Sequence, residues 1–277
     1  MKNESAIFLP IILWAICSQG QTLRSPIAAP YIGTGAYSIN HVDIFSFTSN
    51  QASLAQVLHA AVGIYGERRF LLNELSNYRA SVAIPSRSGN FGLQTGYFGF
   101  AGYNESQIGV AYARKLGTKA DVGVQFNYNG FKAAGYGKAS AISFEAGTIL
   151  HITDKLHTGF HVNNPVGGTF GKNADEKLPA IYTAGFGYDA SRNFFVSAEI
   201  IKQEDEEINV NATLQYKFIP QLLARAGMSS ATSSVWFGLG LLFHSFRLDI
   251  AASYHPQLGI TPGLLIAFDF KSKTEER

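Results

Sequence analysis

Four residues near the middle of the chain, Glu145, His151, His157 and His161, have the types and spacing that chemistry could use. Around them Ile142, Phe144, Leu150, Ile152, Leu156, Phe160 and Val162 alternate with polar positions, so an extended chain puts the apolar set on one face and these four on the other. Keeping Ile152 and Leu156 on the apolar face requires the turn Thr153-Asp154-Lys155, which sets His151 opposite His157. Two imidazoles across a strand pair could hold a metal with a third ligand. None is evident, so neither a metal nor a cofactor is expected. The same register turns Glu199, Arg225, Arg247, Asp249 and Asp269 to the polar face, and Arg225 and Arg247 flank the segment of Gly238 and Gly240, where absent side chains leave room. Enclosed charges must pair or stay wet, which favours a structural ion-pair network, with a selectivity element lining a pathway as the alternative.

Catalysis finds little support. Acyl transfer needs a nucleophile and base within hydrogen-bond reach, and none of the seven His residues gives His-x-Ser on one strand face. Gly33-Thr34-Gly35 lacks the third glycine and the helix of a nucleotide site. The run Glu204-Asp205-Glu206-Glu207 lacks the alternating ligands and central Gly of a calcium loop and reads as a solvated loop tip. The chain is therefore expected not to be an enzyme.

Composition narrows what must position these residues. Of 277 residues, 22 are Lys or Arg and 20 Asp or Glu, which is 15% charged and below the roughly 25% of soluble domains. Aromatics are too abundant for a disordered chain, a net charge of +2 is too small for a nucleic-acid binder, and no apolar run reaches the ~18 residues of a spanning helix. Period-two alternation dominates instead. In Val122 to Asn129 one face is Val, Val, Phe, Tyr and the other Gly, Gln, Asn, Asn, and Ile208 to Phe218 and Phe246 to His255 repeat it. About fourteen such segments, centred near 64, 81, 94, 110, 125, 146, 159, 184, 197, 212, 225, 239, 250 and 266, have the length and even number of a transmembrane barrel. The second face of Gly, Ala, Asn, Gln and Ser is that of a narrow lumen, whereas a soluble sandwich would show Lys and Glu there.

The connections alternate. Short turns such as Leu116 to Lys119, Pro220-Gln221 and His244-Ser245 interleave with mostly longer ones, Gly130 to Lys138, Asn163 to Leu178, Gln203 to Glu207 and Pro256 to Pro262, and the short set is expected on the periplasmic side. Tyr128, Tyr216, Phe218, Tyr254, Phe268 and Phe270 near strand ends suit interfacial girdles. The fold expected is an all-β transmembrane antiparallel barrel of about fourteen strands over residues 61–270, with a lumenal N-terminal segment over 21–60 and a charged tail over 271–277. The stretch Ala6 to Ile16, followed by Cys17-Ser18-Gln19-Gly20, reads as a secretory signal peptide over 1–20, leaving the mature chain without cysteine.

One stretch carries a family likeness. Gly33-Thr34-Gly35-Ala36-Tyr37-Ser38, then Asp43-Ile44-Phe45, then Asn50-Gln51-Ala52-Ser53-Leu54-Ala55 resembles the N-terminal pattern of FadL-like outer-membrane proteins of the PorV/PorQ type. In that family a Gly-Ala-rich segment leads to an acidic residue and an Asn-Pro-Ala-x-Leu-Ala element; Gln51 stands where the family has Pro. The resemblance covers nearly the whole mature chain. It implies the outer membrane of a Gram-negative, Bacteroidota-like bacterium, with outer-membrane lipid as the surroundings. Its implied roles are accessory work in type IX secretion with secretion-system partners, or a passive channel for a small apolar ligand.

Overall fold

Extended chain forms wherever β-branched, aromatic and leucine side chains alternate with small or amide ones, because only a strand sorts such a sequence onto two faces. The computed structural model describes residues 29–167, 169–170 and 176–270; the expected signal peptide, Cys17, the first part of the N-terminal segment and the charged tail lie outside the described residues. In chain order the strands are β1 (Ala61–Arg68), β2 (Ser76–Ile84), β3 (Asn90–Gly99), β4 (Tyr103–Leu116), β5 (Ala120–Ala133), β6 (Gly137–His151), β7 (Leu156–Asn163), β8 (Thr169–Phe170) and β9 (Glu176–Lys177). There follow β10 (Ile181–Asp189), β11 (Phe194–Gln203), β12 (Asn209–Ile219), β13 (Leu222–Ser229), β14 (Ser234–Phe243), β15 (Phe246–His255) and β16 (Gly259–Asp269). Among the described residues fourteen of them, all but β8 and β9, close into one antiparallel barrel, with β16 pairing back onto β1. Closure removes the open edge that hydrocarbon cannot satisfy. No described helix is long and apolar enough to cross a membrane.

Each of the fourteen expected centres falls inside a barrel strand. Outward positions such as Phe126, Ile142 and Ile250 are more than half exposed, while their neighbours Gln125, Asn127 and Asp249 are buried in the lumen. Tyr216 meets Phe218, and Phe268 meets Phe270, edge to face on the outer surface near strand ends.

The connections depart from expectation at one end. Gly130 to Lys138 is mostly strand, since β5 runs to Ala133 and β6 starts at Gly137, and Pro256 to Pro262 contracts to residues 256–258. Gly-rich sequence reads as loop, yet here the antiparallel ladder continues from Ala120↔Leu150 to Ala133↔Gly137 and satisfies its own backbone. Residues 164–180, which carry the β8–β9 hairpin, stay as a long connection at that same end.

The described residues 31–56 pack inside the barrel against the lumen wall, and are called the plug below. A short helix, Ala29–Ile32, leads to 3-10 turns at Thr34–Tyr37, Ser46–Thr48 and Gln51–Gln56. Tyr31, Ile32, Phe45, Phe47 and Leu54 are buried and cluster with Ala83, Ala111, Trp236 and Leu265 of the wall. Lumen-facing glycines make its seat: a Cβ on Gly123 would come within 2.4 Å of the Gln51 backbone, and one on Gly238 within 2.4 Å of the Tyr31 ring.

Candidate functional site

The site is the contact between plug and lumen, and it has two sides. On β10 to β15 the wall presents charge. Asp43, between two plug turns, accepts from Arg225 Nη2 at 2.8 Å and Arg247 Nη1 at 2.7 Å. Its other oxygen accepts the backbone N–H groups of Phe45 and Ser46 at 2.9 and 3.1 Å. Arg247 also grips Asp249 through Nε at 2.7 Å and through Nη2, and Asp249 accepts the Tyr31 hydroxyl at 2.7 Å. Arg225 donates to Gln215 at 2.6 Å and to the Tyr31 carbonyl at 3.2 Å, its guanidinium lying over the Tyr31 ring. Two carboxylates meet two guanidiniums, so the cluster is neutral. Burial alone would raise the Asp43 carboxyl, but the charges and hydrogen bonds of Arg225 and Arg247 outweigh it and hold it at about 2.

On β3 to β7 the wall presents amides, backbone carbonyls and single carboxylates in place of arginines. Asn50 caps the Gln51–Gln56 turn by accepting Ala52 N–H at 3.0 Å, and its amide donates to the carbonyls of Thr148 and Phe160 at 3.2 and 3.3 Å. Gln51 donates to Glu145 at 2.5 Å, which also accepts from Asn127 at 2.6 Å and lies 3.1 Å from His161 Nε2. Asn90 donates to the carbonyls of Leu54 and Val57 at 2.7 and 2.8 Å.

A histidine pair joins the two sides. His151 stands opposite His157 across the β6–β7 hairpin, with the two Nδ1 atoms 3.0 Å apart, so one of them must donate. At the outer nitrogens, His151 Nε2 lies 2.9 Å from Asp121, and His157 Nε2 lies 3.3 Å from Asp189. Both carboxylates also hold the plug: Asp121 accepts from Gln56 at 2.6 Å, and Asp189 accepts from the Ser38 hydroxyl at 2.6 Å and Ile39 N–H at 3.1 Å. His41, within the plug, bonds Gln215 through Nδ1 at 2.8 Å, and burial pushes its imidazole below the usual value.

Of the residues singled out in the sequence, Glu145 meets His161, His151 meets His157, and Arg225, Arg247 and Asp249 form one cluster. Glu199 lies apart, accepting from Asn211 at 2.8 Å, and Asp269 sits half-buried at the end of β16. The family-like residues Asn50, Gln51, Ala52, Leu54 and Ala55 are all buried in the seat. Sequence reading passed over Asp121 and Asp189, whose lumen-facing positions at strand ends were the available signal, and gave Asp43 no partner. Gly238 seats Tyr31 and so makes room for the plug; Gly240 lies against Asp249. Among the described residues no group of three or more His, Cys, Asp or Glu is arranged to hold a metal ion. The geometry fastens one segment to another.

The outer wall carries an apolar groove of about 750 Å³ across β16, β1, β2 and β3, bounded by Ile64, Tyr78, Tyr97 and Leu264 over a floor that includes Gly66 and Ala80. The outer face of β6, β7, β10 and β11 holds a second of about 550 Å³.

A closed fourteen-stranded barrel with a plug packed into its lumen defines a class by its fold, the plugged transmembrane β-barrels. Among solved structures the Pseudomonas putida toluene transporter TodX superposes with a TM-score of 0.57 at 12% identity, covering 84% of this chain and 96% of that one. The Ralstonia pickettii toluene transporter TbuX and a Pseudomonas aeruginosa FadL homologue each give 0.60 at 11% identity, covering 83% of this chain and 94% of theirs. At such identities the likeness is one of fold. No protein-family model and no curated protein sequence matches the chain.

Proposed function

We propose that the protein is a non-catalytic barrel of a Gram-negative outer membrane that passes small apolar molecules between the lipid and the barrel interior. The observation that carries this reading is the wall groove of about 750 Å³ beside β1, which falls within the ~300–1,000 Å³ of small-molecule sites. Its lining is chiefly apolar, so it would take a hydrocarbon-like solute, the chemistry named for TodX and TbuX. Passage through the lumen would require the plug to shift. The test is uptake of labelled toluene by cells expressing the protein, the Ala80→Phe variant that fills the groove floor, or neither. Uptake above the empty strain that falls several-fold in the variant supports the reading, and uptake equal to the empty strain overturns it.

Accessory work in type IX secretion, in the manner of PorV and PorQ, has one specific observation in its favour. The connection between β7 and β10 carries a strand pair of its own, β8 with β9, which would be the place for a protein partner to dock. Mass spectrometry of gently extracted protein separates the two readings: stoichiometric secretion components favour the accessory role, and a bound apolar molecule without partner protein favours passage.

A further inference from the structure

Charge on the barrel strands is sorted by face. Every Asp and Glu on a barrel strand, from Glu67 on β1 to Asp269 on β16, occupies a lumen-facing position, and the outward positions carry cations only: Arg68, Arg114, Lys132, Lys138 and Lys202. Four of the five lie toward the end of the long 164–180 connection, and Arg114 lies at the opposite end. Lys132 and Lys138 are direct cross-strand partners on β5 and β6, both exposed, and among the described residues neither makes an ion pair or hydrogen bond. Like charges placed opposite one another on a sheet repel. The arrangement is stable beside an anion and costly beside lipid tails alone.

Depth identifies the anion. Below the lysines the outward pairs on β5 and β6 are Gly130↔Ser140, Tyr128↔Ile142, Phe126↔Phe144, Val124↔Ala146, Val122↔Thr148 and Ala120↔Leu150. At ~3.3 Å per residue and a tilt near 40°, the span from Ala120 to Tyr128 covers ~20 Å of the membrane normal, and Lys132 stands ~10 Å further out. That is the headgroup layer, not the hydrocarbon. We propose that Lys132 and Lys138 form a docking site for the phosphate of a phosphorylated glycolipid in the outer leaflet, with Tyr128 and Ile142 against its acyl chains. A lipid rather than a soluble phosphate is indicated because this apolar wall continues directly beneath the cations.

The test is native mass spectrometry of the full-length protein in detergent micelles titrated with bis-phosphorylated lipid A, comparing wild type, the Lys132→Gln/Lys138→Gln double variant and Arg114→Gln. The double variant should bind roughly 30-fold more weakly, two basic residues each being worth about a factor of 5 beside an anionic surface. Arg114→Gln should bind as wild type, and fully dephosphorylated lipid A should bind the wild type as poorly as intact lipid A binds the double variant. Unchanged binding in the double variant, or equal binding of the dephosphorylated lipid, overturns the proposal. Both side chains are exposed near a hairpin tip, and an unaltered heat-modifiable shift on gels confirms that the variants fold.

Discussion

The two sides of the lumen hold the same plug by different physics. On the β10–β15 side one carboxylate, Asp43, meets Arg225, which is almost fully buried, and Arg247. On the β3–β7 side the Gln51–Gln56 turn rests on amides that bond backbone carbonyls and the single carboxylates of Glu145 and Asp121, with no guanidinium among the turn's partners in the described residues, and on the missing side chains of Gly123 and Gly147. A charged anchor fails when one atom is removed, because what it leaves behind is an unpaired buried ion. An amide anchor fails when space is removed.

The largest expected effect tests that contrast directly. Asp43→Ala leaves two guanidiniums facing Asp249 alone, a surplus of one positive charge at a site where Arg225 is 1% exposed. Breaking a buried pair from one partner costs about 3–5 kcal/mol. Unfolding in detergent followed by the fluorescence of Trp236, whose ring meets the Tyr31 ring edge-on at 5.5 Å, should show the loss, together with new protease cleavage in the plug. A variant as stable as wild type would remove Asp43 from the anchor.

Acid should break the same side without a mutation. The folded Asp43 value of about 2 lies below the ordinary 3.8, so the carboxylate contributes stability that is complete above about pH 4 and lost as pH falls through about 2. The difference corresponds to about 2 kcal/mol. Midpoints measured between pH 5 and pH 2 should fall more steeply in wild type than in Asp43→Asn, and parallel slopes would contradict the assignment.

On the amide side, Gly123→Ala should cost about 1–3 kcal/mol through overpacking, since the new Cβ would stand 2.4 Å from a backbone atom of Gln51 and cannot swing aside. The double variant Gly123→Ala/Gln51→Gly would not relieve it, because the clash is with main chain.

Legibility followed the same division. The barrel was readable because membrane and lumen impose opposite chemistry on successive residues, so Val122 to Asn129 announces both a strand and its register. The His151–His157 opposition followed from the same parity. The ribbon beyond the apolar band was not readable: residues 130–138 no longer need an apolar face, and their glycines mimic a loop. Nor were the plug's partners. Ser38 is 151 residues from Asp189, and nothing local to either one names the other. Glycine was the most ambiguous sign, since Gly238 as room for an arginine and Gly238 as a seat for Tyr31 look identical in sequence.

The smallest effect sharpens the comparison from within the charged side. Ser38 donates to Asp189 at 2.6 Å and accepts His41 N–H at 2.9 Å, but Asp189 also receives Ile39 N–H at 3.1 Å and the Asn40 amide at 3.3 Å, with His157 close by. A carboxylate with several donors loses little when one goes, so Ser38→Ala should cost about 1 kcal/mol. The same Trp236 unfolding curve measures it. A loss matching that of Asp43→Ala would mean that the plug is fastened chiefly at Asp189, and that the arginine pair is held in register by the plug instead of holding it.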